Sequence, residues 1–97
     1  MTITEWSQAA REVSEAHGFF TTPENILERL MLVVTECAEA AEDYRNKRME
    51  HFPEELADVC IRTFELAGSL GIDLEEAIEH KHAKNKLRPY RHGGKLA

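Results

Sequence analysis

No apolar run in this sequence approaches the roughly 20 residues that a membrane-spanning helix requires. The opening stretch MTITEWSQAAREV has neither a basic start nor an apolar centre, so it does not read as a signal peptide. These absences set the expectation of a soluble, cytoplasmic protein with no membrane partner. Cysteine is scarce: Cys37 and Cys60 cannot form a disulfide framework, and neither belongs to a CxxC pair. Each falls at an apolar position of a helical pattern, which predicts a buried, reduced thiol. Nucleophile and phosphate-loop signatures are missing too, with no GxSxG, no Walker loop and no cysteine in a polar setting. No segment reads as a strand, and there is no repeat or low-complexity stretch. Acids are absent beyond Glu79, where Lys81, Lys84, Lys86, Arg88, Arg91 and Lys95 follow. The net charge of −6 is therefore uneven, an acidic body ending in a basic tail from about residue 88. An acidic body argues against duplex nucleic acid as a partner, because phosphate binding wants a basic face. A basic end near acidic side chains suits a metal-bound phosphate, which needs both signs of charge.

What is present is helical. At 97 residues the chain has the length of one domain. Trp6, Ala9, Ala10, Val13 and Ala16 recur at helical spacing, with Gly18 as the stop. Thr22-Pro23 is the expected opening of a second helix that runs to about Lys47. Ile26, Leu30, Val33, Cys37, Ala40 and Tyr44 form one apolar stripe on it. Leu27, Met31, Val34, Ala38 and Ala41 form a second stripe beside the first, so the apolar face is wide enough to need cover on more than one side. Pro53 opens a third helix that stops at Gly71, and Asp73 with Glu76 opens a fourth that ends before Pro89. Trp6, Phe19, Phe20 and Tyr44 are expected in the core. The fold expected is all-α, a four-helix bundle-like protomer dimerising through the broad face of helix two.

Two pairs of acids stand out by their company. Glu36 and Glu39 lie among Val33, Val34, Cys37, Ala38, Ala40 and Ala41; Glu55 and Asp58 lie among Leu56, Ala57, Val59, Cys60 and Ile61. Each pair projects from one helix face, and a short connector makes the two helices antiparallel neighbours. The four carboxylates can then face one another. Four converging carboxylates do not all stay ionised in a semi-buried cleft unless cations share it. An all-oxygen donor set points to Mg²⁺ or Mn²⁺ rather than zinc. Acid pairs at this spacing also arise by chance in so acidic a chain, as Glu12/Glu15 and Glu76/Glu79 illustrate. Spacing alone does not choose between a metal site and a solvated face. Glu42 and Asp43 read as solvated acids.

On the fourth helix, Lys81, Asn85 and Arg88 share one side, where two cations and an amide could clamp a polyphosphate. The same cations also suit a helix C-terminus. Arg62, one turn after Asp58, can reach the cleft or pair with Glu55 or Asp58. Phe20, in a connector, offers a ring that could stack on a base. Glu79 and His82 form a single ExxH, and a di-iron carboxylate site would need a second pair from a symmetric partner.

ECAE from Glu36 to Glu39, followed by EELAD from Glu54 to Asp58, resembles the ExxE…ExxD signature of the MazG-like all-α nucleoside triphosphate pyrophosphohydrolases. GIDLEEAI and the ending KHAKNKLRPYRHGGK are similar to the corresponding parts of small members, so the resemblance runs from about Phe19 to His92. It implies a helical bundle working as a homodimer or dimer of dimers. The implied reaction converts a nucleoside triphosphate, commonly a deoxynucleotide, to the monophosphate and pyrophosphate, with a role in clearing damaged or surplus nucleotides. It implies Mg²⁺ ligands at Glu36, Glu39, Glu55 and Asp58, and substrate contacts at Lys81 and Asn85. Thr35 departs from the pattern, since many members carry a further glutamate there. The rival expectations are a non-catalytic helical dimer that binds nucleotide or protein, and a phosphoribosyl-ATP pyrophosphohydrolase.

Overall fold

A computed structural model describes residues 1–90; Arg91, His92, Gly93, Gly94 and Lys95 of the expected tail lie outside the described residues. Four helices follow one another among those residues, with no strand: α1 (Ile3–Ala16), α2 (Ile26–Arg45), α3 (Phe52–Leu70) and α4 (Leu74–Lys86). The all-α expectation holds. None of these helices is long and apolar enough to cross a membrane.

Local chemistry accounts for most of the boundaries. The Thr2 hydroxyl accepts from the Glu5 backbone at 3.0 Å and the Glu5 carboxylate accepts from the Thr2 backbone at 2.8 Å, a reciprocal capping box that starts α1. The Thr2 backbone and hydroxyl bonds together hold the Glu5 pKa below its usual range. The start of α2 differs from the expected Thr22-Pro23 opening. Asn25 accepts from the Thr22 backbone and donates to the Phe20 carbonyl, both at 2.8 Å, and the helix begins only at Ile26. The amide side chain offers this stretch a turn in competition with helix. Pro53 sits in the first turn of α3 as expected, and Gly71 ends it in the left-handed region, with φ 68°. Asp73 caps α4 by accepting from the Glu76 backbone at 3.0 Å.

α3 is the central element, packed against α1 on one side and α2 on the other, while α4 packs against α1. Close approach of α1 and α3 depends on small residues. Ser7 and Ala10 on α1 are buried, as is Ala67 on α3. A Cβ at Gly68 would overlap the Ser7 carbonyl oxygen and come within 3.3 Å of Arg11 Cβ. The buried apolar side chains among the described residues are Ala10, Ala40, Leu66 and Ala67, and no large side chain is fully enclosed.

So small a core corrects several expectations. Cys37 and Cys60 are exposed, not buried. Trp6, Phe19, Phe20 and Tyr44 also lie outside the core. Helical period places a residue on a stripe, but only the part of each stripe that meets α3 is covered. On α2 the second stripe remains open to solvent, with Leu27 at 76% and Met31 at 59% relative exposure. At the α2–α3 turn Tyr44 still packs on Phe52, ring centroids 5.5 Å apart. Asp43 is another correction. It is buried and not solvated, because the chain folds back after α2 and Arg48 Nε donates to its Oδ1 at 2.7 Å.

Candidate functional site

The antiparallel contact of α2 and α3 brings three of the four singled-out acids together. One carboxylate oxygen from each of Glu36, Glu39 and Glu55 lies within 4.8 Å of the others. Glu36 is buried, Glu55 half-buried and Glu39 exposed. Asp58 is exposed one turn after Glu55 and stands outside this group, although it lines the adjoining cavity with Glu36. Oε2 of Glu55 is buried without a hydrogen-bond partner among the described residues. Its pKa is raised above the ordinary carboxylate range, first by desolvation, then by the charge on Glu39, with smaller contributions from Asp43 and Glu36. A buried, unpartnered carboxylate oxygen beside two further carboxylates is what a hard divalent cation would relieve, and the all-oxygen donor set fits Mg²⁺ or Mn²⁺.

Next to the acids is a cavity of about 410 Å³ between α1, α2 and α3. Its apolar wall is Trp6, Ala9, Ala10 and Val13 from α1 with Ile61 and Leu66 from α3. Its polar side is Ser14, Arg29, Glu36, Asp58, Arg62 and Glu65. Trp6, expected in the core, is thus a cavity wall. Arg62 pairs with neither Glu55 nor Asp58: its Nε donates to Glu36 Oε1 at 2.7 Å, across from α3 to α2.

A second polar cluster on this cavity was not foreseen in the sequence. Glu65 is buried at 5% relative exposure. Its Oε1 and Oε2 accept from Thr21 Oγ1 at 2.7 and 2.8 Å, and Oε1 also from Ser69 at 3.2 Å and Arg29 at 3.4 Å. Arg29 in turn donates to Thr21 and to Ser14. The network ties the α1–α2 connector to both α1 and α3, and leaves a guanidinium in the cavity wall. The available signal was Glu65 itself, a lone acid between Phe64 and Leu66.

The other expected substrate contacts are not brought to this place within the chain. Lys81, Asn85 and Arg88 are exposed, and the cavity lining includes no α4 residue, because α4 packs against α1. Phe20 is exposed in the connector and outside the lining. Glu79 and His82 are exposed on α4 and take part in no metal-capable group found among the described residues.

A sequence model of the MazG nucleotide pyrophosphohydrolase domain matches residues 21–92, most of the chain. The chain belongs to the MazG family. Membership suggests nucleotide pyrophosphohydrolase activity and, with the acidic group on α2 and α3, a divalent-metal requirement. No curated protein and no solved structure matches the chain. The match covers α2, α3 and α4 but leaves out α1, the helix that supplies Trp6 and most of the apolar wall.

Proposed function

We propose that this MazG chain is a Mg²⁺-dependent pyrophosphohydrolase that converts a nucleoside or deoxynucleoside triphosphate to its monophosphate and pyrophosphate, in cytoplasmic clearance of unwanted nucleotides. One observation carries the reading: the three-carboxylate group opens beside a cavity with an apolar, Trp6-bearing wall and two arginines. A nucleotide has that same polarity, an apolar ring at one end and a charged phosphate chain at the other.

Glu36, Glu39, Glu55 and Asp58 are the residues that would hold the ion. Bound there, a divalent ion would lower the pKa of a coordinated water and offset phosphate charge. Trp6 supplies a face for the base. Arg62 and Arg29 meet the anionic part of the substrate in the cavity, and donors fixed in advance stabilise charge that grows as water attacks phosphorus. Lys81, Asn85 and Arg88 remain proposed substrate contacts. Reaching the cavity from α4 requires a shift of that helix or a second copy of the chain. For assembly we assign the exposed α2 stripe of Leu27, Met31, Val34, Ala38 and Ala41 to a homodimer or dimer-of-dimers interface.

The test is a panel of NTPs, dNTPs and phosphoribosyl-ATP with Mg²⁺, with EDTA as control. Pyrophosphate release that EDTA stops supports the proposal; no release from any substrate identifies a non-catalytic binding protein instead. In the same assay Glu39→Gln and Asp58→Asn abolish turnover while the helical circular dichroism signal is kept. Either variant at wild-type activity removes that residue from the site.

A further inference from the structure

Glu36 is the most buried of the three clustered acids, and the one with a cation against it. Its side chain is 9% exposed and that of Arg62 is 37% exposed. The single hydrogen bond of Arg62 among the described residues runs from Nε to Glu36 Oε1 at 2.7 Å. The two terminal nitrogens of the guanidinium, with four N–H donors, are therefore not used by the fold, and Arg62 lines the cavity. The ion pair and the convergence of Glu36 with Glu39 and Glu55 exist together in one arrangement. Arg62 need not leave Glu36 for that carboxylate to face the other two.

We infer that Arg62 is a positioning residue for the cation site as well as a phosphate contact: Nε fixes the Glu36 carboxylate toward Glu39 and Glu55, and the terminal nitrogens take a phosphate oxygen in the cavity. The inference rests on the proposed function and extends it, because it makes one side chain couple cation and substrate. Three mutually repelling carboxylates would otherwise drive Glu36 to another rotamer, and a group that orients a metal ligand typically contributes tenfold to a hundredfold in metal affinity. A planar guanidinium can serve both partners at once through separate N–H groups. A lysine ammonium is a single point charge and cannot hold that geometry.

The experiment titrates the full chain with Mn²⁺ in the absence of nucleotide, following free Mn²⁺ by electron paramagnetic resonance, and then measures KM and kcat on the substrate found in the panel. Arg62→Met weakens Mn²⁺ binding about tenfold or more. Arg62→Lys restores Mn²⁺ affinity to within about threefold of wild type yet leaves KM raised about tenfold, since charge returns without the fork. An Arg62 that merely ties α2 to α3 would lower thermal stability and leave Mn²⁺ affinity unchanged. Unchanged or tighter Mn²⁺ binding by Arg62→Met overturns the inference. If that variant fails to fold, a wild-type KM or lost Mn²⁺ binding in Arg62→Lys overturns it instead. A wild-type chain that binds Mn²⁺ but hydrolyses nothing overturns the proposed function alone, and the Mn²⁺ titration still decides Arg62. A wild-type chain that binds no Mn²⁺ overturns both.

Discussion

Glu55 lies in the first turn of α3, where the helix dipole favours a negative charge. Its pKa is nevertheless raised, because burial and the neighbouring carboxylates outweigh that effect. Folded chains thus keep a proton that unfolded chains have already released. The stability tied to that proton is fully present below the unfolded glutamate pKa and is lost as pH rises through the folded value. We predict that metal-free protein loses stability across this window. Mg²⁺ should raise the melting temperature more at the top of the window than at the bottom, as the cation replaces the proton. Melting curves with Mg²⁺ and with EDTA across the pH range check this, and Glu55→Gln should remove the pH dependence of the difference.

Between elements, the decisive contact is α1 on α3. Gly68 permits it, since any Cβ there meets the backbone of Ser7, which cannot rotate aside. Gly68→Ala should push the helices apart and destabilise the fold by about 1–3 kcal/mol, a typical overpacking cost. It should also raise KM, because α1 and α3 form two walls of the cavity. Urea denaturation and steady-state kinetics read the two effects separately. The Thr21–Arg29–Glu65 network makes a second prediction at this scale. Glu65→Ala strands a partly buried guanidinium whose side chain is 14% exposed, and should cost about 3 kcal/mol. Glu65→Gln keeps an acceptor for Thr21 and should cost less.

At the scale of the whole molecule, the described residues bury few apolar side chains and expose many, which is the ground for the proposed α2 interface. Leu27, Met31 and Val34 are each more than half exposed on one face of α2. Sedimentation of wild-type protein should show a dimer or tetramer. Met31→Glu with Val34→Glu should shift it toward monomer and lower its melting temperature, because charges at the centre of an apolar interface lose their water. A monomeric wild type at micromolar concentration would refute the assignment of this face.

Much of the fold was legible residue by residue. Helical period located four helices, Gly18 and Gly71 marked two ends, and the antiparallel pairing of α2 with α3 followed from a short connector. Pattern could not say which part of an apolar stripe is covered. Pattern alone therefore puts Cys37, Cys60, Trp6 and Tyr44 inside, whereas the buried apolar side chains among the described residues are three alanines and Leu66. Glu36 and Glu39 could be picked out beside Glu55 and Asp58 because helix geometry is local. The sequence by itself determined helices, their order and which acids share a face, since these depend on neighbours three and four residues away. Tertiary structure alone decided that Glu36, Glu39 and Glu55 converge while Asp58 stands at the cavity, that Arg62 answers to Glu36, and that Glu65 is buried on Thr21 and Arg29. The Arg62–Glu36 and Glu65–Thr21 contacts join residues 26 and 44 positions apart, and they are fixed by how the helices dock on α3.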